Sequence, residues 1–288
     1  MIKIEKTEVV GWEAAIRGMR NPMNSWDKSD STFSKHICSN TVCWTDISLN
    51  KLPPCNIPEE VHVDNWTGLF YNIGTNDHEL MMKLRNAGAD HRKFMRMIVV
   101  YVDITAPLYW WKEFKTYRAG RKFGDDEPGI IDDGYLECDI ETNSCSTMHK
   151  IHAKEFTLDD FSHEHLMDFA EGYSEDDDLV VRVSVDSPKK VLLHTIETLN
   201  YYREMYLHTK VKPMKDESKR AELMKKYWWQ MIQLLPSSYN QKRTIMLNYE
   251  VLANIYKSRR GHKLDCWREF CSWIETLPYS ELITGEEK

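Results

Sequence analysis

A chain of 288 residues that is 42% hydrophobic, with 10 Trp, 14 Tyr and 9 Phe, holds ample material for a buried core, which excludes wholesale disorder. A formal net charge of -7 excludes a surface built mainly to coat nucleic acid, so anionic partners must be met by local basic clusters. No stretch approaches the ~20 apolar residues of a membrane span, and the 7 cysteines follow no secretory leader, so the expectation is a cytoplasmic protein with free thiols and no membrane partner.

In chain order, Ile2 and Ile4 alternate with charged neighbours and predict an opening strand within residues 1–10, followed by a short helix from Trp12 to Arg20 that ends at Asn21-Pro22. Met23 to His62 lacks periodicity and reads as a long irregular insertion. Asn76 with Glu79 predicts a capped helix closed by Gly88, with Leu80, Met81, Leu84 and Ala87 on one face. The β-branched run from Met97 to Ile104 predicts a strand, and Leu108 to Lys115 an aromatic helix. Residues 120–142, rich in Gly, Asp and Glu, read as a second insertion. A short helix is expected over Leu158 to Phe169, an acidic irregular stretch over Glu171 to Asp178 and a strand over Leu179 to Val185. The remainder predicts helices at Val191–Leu207, Asp216–Leu234, Thr244–Arg259 and Leu264–Ile274, the first with Val191, Leu192, Thr195, Leu199 and Tyr202 on one face. The fold class is therefore α+β (mixed α/β), a central sheet flanked by helices, with a helical C-terminal half, in a single domain over 1–288.

Three constellations can carry chemistry. Lys112, Lys115, Arg118 and Arg121 make the end of the aromatic helix basic, which serves either the helix dipole or an anion. Asn143-Ser144-Cys145-Ser146-Thr147, followed by His149, is either an ordinary turn, a donor cradle for phosphate or a nucleophile beside a base. Asn248, Leu252, Ile255 and Arg259 share a helical stripe, with His262 just beyond; buried polar groups there need partners, either within the protein or in a ligand. His36, Cys38, Cys43 and Cys55 lack the close pairing of a zinc knuckle, so no metal is expected.

Taken in order, these pieces resemble the flavin-dependent thymidylate synthase family. Leu235-Pro236, Asn248, Leu252, Arg259 and His262 before Trp267 follow the family's late run at almost the same intervals. The Ala106-Pro107 turn leads, as in the family, into the helix that bears its Arg-His-Arg motif, and His91 falls where the family has a flavin-side His. Trp12 to Ser25 matches the family's N-terminal helix and its following Ser.

The resemblance implies a homotetramer that reductively methylates dUMP to dTMP, with FAD as hydride carrier and methylenetetrahydrofolate and NADPH as co-substrates. It assigns His91, Arg118, Asn143, Asn248, Leu252 and His262 to the cofactor, and Glu113, Ser144, Ser146 and Arg259 to the nucleotide, with Ser146 and Arg118 at the reacting centre. The chain also departs from the pattern. Thr116 and Tyr117 stand for the first Arg and the His of Arg-His-Arg, Ser144 for a Glu, Met148 for a phosphate-binding Arg, and Ile232 for another substrate Arg. Lys115, Arg121 or Lys150 are the candidates to compensate, while Lys93 and Arg96 introduce charge near the flavin side. A different flavin-dependent reaction on a pyrimidine nucleotide, and a non-catalytic nucleotide-binding or scaffold role, stay open beside thymidylate synthesis.

Overall fold

The computed structural model describes residues 2–35, 62–64, 69–117, 141–168 and 186–285. In chain order the elements are β1 (Lys3–Val10), α1 (Trp12–Arg20), β2 (Thr32–Lys35), β3 (His62–Asp64), β4 (Leu69–Asn72), α2 (Thr75–Asn86), β5 (Val99–Pro107) and α3 (Leu108–Phe114). They continue with β6 (Glu141–Ser144), α4 (Pro188–Val211), α5 (Glu217–Leu234), β7 (Asn240–Asn248), α6 (Tyr249–Arg259), α7 (Asp265–Glu275) and α8 (Glu281–Thr284). One sheet has the strand order β1-β5-β7-β6, and a second, antiparallel one has the order β2-β4-β3. The mixed α/β class expected from the sequence is the observed one. Among the described residues no helix is long and apolar enough to cross a membrane.

The described chain divides into two units, one made of Thr105–Lys112 and Ser144–Lys242, the other of Ile2–Ile104, Glu113–Asn143 and Arg243–Lys288. In the first, α4 packs on α5, and Phe156, Phe161, Leu192, Ile196, Leu199 and Met231 form the core. The first amides of α3 find backbone acceptors here: Leu108 N–H donates to Tyr239 O (3.0 Å) and Tyr109 N–H to Ser237 O (3.0 Å). These bonds satisfy donors that a helix start leaves open. Trp111 Nε1 donates to Gln241 O at 3.0 Å, which fixes a buried indole.

In the second unit Val100, Val102 and Ile104 of β5 are buried, the alternation that a strand with one core face requires. Trp12 stacks on Tyr71 at 5.6 Å and meets Tyr249 and Tyr279 edge-on at 5.3 and 5.2 Å. Gly11, at φ 99°, turns the chain from β1 into α1; a Cβ there would lie 2.1 Å from Met97 O, so only glycine fits.

The end of α1 and the start of the stretch expected to be irregular from Met23 are organised around one buried carboxylate. Asp77 receives Arg20 Nε (2.6 Å), Ser29 Oγ (2.6 Å), and both Oγ (2.6 Å) and N–H (3.1 Å) of Ser31. Burial opposes ionisation of Asp77, but these hydrogen bonds outweigh it and hold the carboxyl below its ordinary value.

Several sequence expectations are corrected. Asn76 does not cap α2. Its side-chain role passes to Asp30, whose carboxylate accepts from Asn76 N–H (2.9 Å) and Asp77 N–H (3.1 Å). The helix expected over 244–259 divides at Asn248, because Ile245 and Leu247 alternate inward as strand residues of β7. The strand expected to start at Met97 starts at Val99 and reaches Pro107, and Arg92–Met97 is a 3-10 turn. Thr157 and Asp160 cap only a single 3-10 turn at Leu158–Asp160, after which Phe161 bridges to Tyr239, so the helix read from Leu158 does not form. Val191, placed on the apolar face of α4, is 51% exposed, and Ile196 takes its place in the core. Thr32–Lys35 forms β2 inside the first insertion. The strand read at 179–185 and most of both insertions lie outside the described residues.

Candidate functional site

Helix α6 carries two features on adjoining faces. Its start is set by Asn248, which is buried and whose Oδ1 accepts from Val251 N–H at 3.0 Å. Asn248 is thus the N-cap of the helix and not a member of its stripe. Leu252 and Ile255 are fully buried on one face, and Arg259 follows in the last turn.

The Arg259 guanidinium lies 5.4 Å from the centre of the Tyr117 ring and 5.0 Å from that of Trp267. Its Nε donates to Tyr117 Oη, and its Nη2 lies 3.5 Å from Glu113 Oε2. The same Glu113 oxygen accepts from Trp267 Nε1 at 2.8 Å. Burial pushes the Tyr117 phenol above its ordinary value despite the opposing pull of Arg259, so the hydroxyl stays protonated at neutral pH. His262 closes the turn. Its N–H donates to Arg259 O at 3.0 Å, while Nδ1 accepts from Leu264 N–H at 3.2 Å. Tyr117, Glu113, Arg259 and His262 are gathered here with Trp267.

The adjoining face of α6 presents Asn254, Tyr256, Lys257 and Arg260 to a pocket of about 390 Å³, closed by Arg85, Arg92 and the end of α8. Among the described residues, the pocket is lined by four basic residues and no carboxylate. Arg85 donates through Nε to Leu282 O (2.9 Å), through Nη2 to Ile283 O (3.0 Å) and through Nη1 to Asn86 Oδ1 (2.8 Å). Burial, then the neighbouring charge of Arg92, hold the Arg85 guanidinium below its ordinary value. Arg92 Nε is buried without a hydrogen-bond partner, 3.3 Å from Glu250 Oε1. Glu250 is 1% exposed and also accepts from Arg96, which ties up the cation expected to reshape the flavin side.

Basic residues at helix ends serve the dipole first, but the α2 and α6 ends contribute only about half a negative charge each. The basic lining, with Arg92 also ion-paired to Glu250, is suited to an anion with several acceptor oxygens. The sequence reading missed it. Arg85, Arg92, Lys257 and Arg260 are distant in sequence, and each alone looks like a charge at a helix end.

The remaining expected residues fall as follows. His91 is exposed at the start of the 3-10 turn that carries Arg92. Asn143 and Ser144 are exposed on β6, and Ser146 Oγ accepts from the His149 backbone N–H at 2.9 Å, which closes an exposed turn. Arg118 and Arg121 lie outside the described residues.

No family model matches the sequence, and no curated protein matches it. Among solved structures, that of thymidylate synthase X (ThyX) from Helicobacter pylori with FAD and dUMP has a TM-score of 0.51 at 12% identity, covering 99% of this chain and 98% of that one. This chain has the ThyX fold. A second structure of H. pylori flavin-dependent thymidylate synthase ThyX, complexed with FAD and dUMP, has a TM-score of 0.48 at 12% identity and covers 100% and 99% of the two chains. The likeness to ThyX runs the whole length of the chain and is one of fold.

Proposed function

We propose that this chain is a ThyX-type flavoprotein that binds FAD and dUMP and methylates the nucleotide reductively to dTMP, with methylenetetrahydrofolate and NADPH as co-substrates. The observation that carries the reading is the four-cation pocket on the same helix as Asn248 and Arg259. The pocket fits the pyrophosphate of a dinucleotide. Arg85, Arg92, Lys257 and Arg260 would hold its oxygens, Asn254 offers an amide, and Arg92 Nε, ion-paired with Glu250, makes no hydrogen bond among the described residues. When bound, the flavin supplies hydride transfer.

The chain's own residues bind and orient. Asn248, Leu252, His262, His91, Asn143 and Arg118 are assigned to the cofactor through the resemblance, and Ser144, Ser146, Glu113 and Arg259 to the nucleotide. Arg259 lies against the Tyr117 and Trp267 rings, and a phosphate reaching it displaces Glu113 from its ion pair. A net charge of -7 with a local basic pocket suits a small nucleotide and not a nucleic-acid polymer. A homotetramer in the cytoplasm belongs to the same proposal.

One observation favours a second reading. Tyr117 stands where the family has a His, and its hydroxyl already accepts from Arg259. A protein with that arrangement could retain the cofactor and nucleotide without methyl transfer. The test is anaerobic incubation of the purified protein with FAD, dUMP, NADPH and methylenetetrahydrofolate, followed by mass analysis of the nucleotide. Flavin colour with a dTMP product supports methylation, and flavin colour with unchanged dUMP supports the second reading. A protein that stays colourless with added FAD overturns both.

A further inference from the structure

A second cavity lies wholly within the α4–α5 unit and takes in Met148 and His149 of the turn after β6. It measures about 350 Å³ and is bounded by the turn that follows β6 and by one face each of α4 and α5. That volume is within the range of small-molecule sites, about 300–1,000 Å³.

Its walls are flat and soft. Tyr206 of α4 and Trp228 of α5 supply rings, and Met148 and Met224 supply thioethers. Two contacts fix the rings. Trp228 Nε1 donates to Met148 O at 2.8 Å, and the His152 ring sits 4.5 Å from that of Tyr206. Met148, which stands for a family Arg, is 56% exposed.

The polar groups are one-sided. Among the described residues, His149, His152 and Lys225 line the cavity and no carboxylate does. His152 Nδ1 is buried without a hydrogen-bond partner. Burial, then Lys210, Lys150 and Arg203, hold the His152 imidazole below its ordinary range, so it is neutral at pH 7 and the surrounding field is positive. A buried ring nitrogen left unpaired is costly, and a ligand that reaches it removes that cost.

We propose that this cavity binds a small planar heteroaromatic anion, its ring between Tyr206 and Trp228, its acidic group at Lys225, and a polar ring atom at His152 Nδ1. Aromatic faces and thioethers select for a flat ring, and the basic lining selects for negative charge. None of its residues is assigned to FAD or dUMP, although Met148 stands where the family has a phosphate-binding Arg, and the probes below test it separately from the flavin reading.

The experiment is calorimetry and saturation-transfer NMR on the full chain with probes that separate these features: 2-naphthoate, 2-naphthyl phosphate, the neutral 2-naphthylmethanol and the non-planar cyclohexanecarboxylate. The planar anions are expected to bind at least about tenfold more tightly than the neutral or non-planar probe. Whichever of carboxylate and phosphate binds more tightly identifies the acidic group. Lys225 and His149 are exposed, so the double variant Lys225→Glu/His149→Glu should keep its melting temperature and lose planar-anion binding about tenfold or more. Equal binding of all four probes, or binding unchanged in the double variant, overturns the proposal. So does a dimer in solution that the double variant dissolves while the naphthoate fails to bind, because a second copy would then be the occupant.

Discussion

Asp77 gathers Arg20, Ser29 and Ser31 around one carboxylate. It is fully buried, it pairs with Arg20, itself only 4% exposed, and it takes three further hydrogen bonds from Ser29 and Ser31. Replacing it by Ala would leave the Arg20 charge buried and unpaired, and the expected cost is about 3–5 kcal/mol in chemical denaturation. The pH dependence follows from the sign of the shift. Because the folded carboxyl is held below its unfolded value, its contribution is present above about pH 3.9 and fades as pH falls through the folded value. The stability gap between wild type and Asp77→Asn should therefore narrow below about pH 4, and a gap that stays constant down to pH ~2 would show that Asp77 is not held ionised.

Arg259 and Glu113 test the nucleotide assignment at the same scale. Arg259→Ala should weaken dUMP binding by roughly 1.5–3 kcal/mol, the worth of a charge-assisted contact. Glu113→Gln should strengthen it, because the carboxylate that now shares Arg259 competes with a phosphate. Calorimetric titration of each variant with dUMP decides this, and unchanged affinity in both would remove Arg259 from the site.

At the scale of elements, the sequence was most legible where periodicity was long and local. α1 was read with its observed limits, α4 and α5 to within a few residues, and β5 with its strand type correct. It was least legible where a distant segment supplies a local need. Asp30 caps α2 from 46 residues away, so the nearer capping box at Asn76 misled the reading. The pattern Thr244 to Leu247 fits helix and strand alike over so short a run, and only its place in the sheet between β5 and β6 settles it.

Of the candidate site, Arg259 and His262 were legible through their spacing and Glu113 through the family resemblance, and the three do cluster. The contact of Arg259 with Tyr117 and Trp267, which the sequence offered only as motif positions, and the whole basic pocket were not, because helix ends meet there that no local pattern links. Asn248 sits on both sides of that line, a capping residue and a proposed cofactor ligand. Asn248→Ala should cost about 0.5–2 kcal/mol of stability through the lost cap. Asn248→Asp keeps the acceptor and should retain stability, yet lose FAD affinity if the amide N–H meets the cofactor. Equal FAD affinity in wild type and Asn248→Asp would leave Asn248 a cap only.

For the whole molecule, the ThyX fold over the full length supplies the scaffold, and the basic pocket supplies the local chemistry that the acidic surface otherwise lacks. A ligand that binds only the native state raises the melting temperature by mass action, about 2.7 kcal/mol at a hundredfold excess over Kd. The most direct measurement is therefore a thermal-shift titration of the full chain with FAD and with dUMP, repeated on Lys257→Glu/Arg260→Glu, both exposed positions. Saturable stabilisation by FAD in the wild type, lost in the double variant, is the predicted result. No stabilisation by either ligand, or a FAD shift that survives the charge reversal, would contradict a flavin held at this pocket.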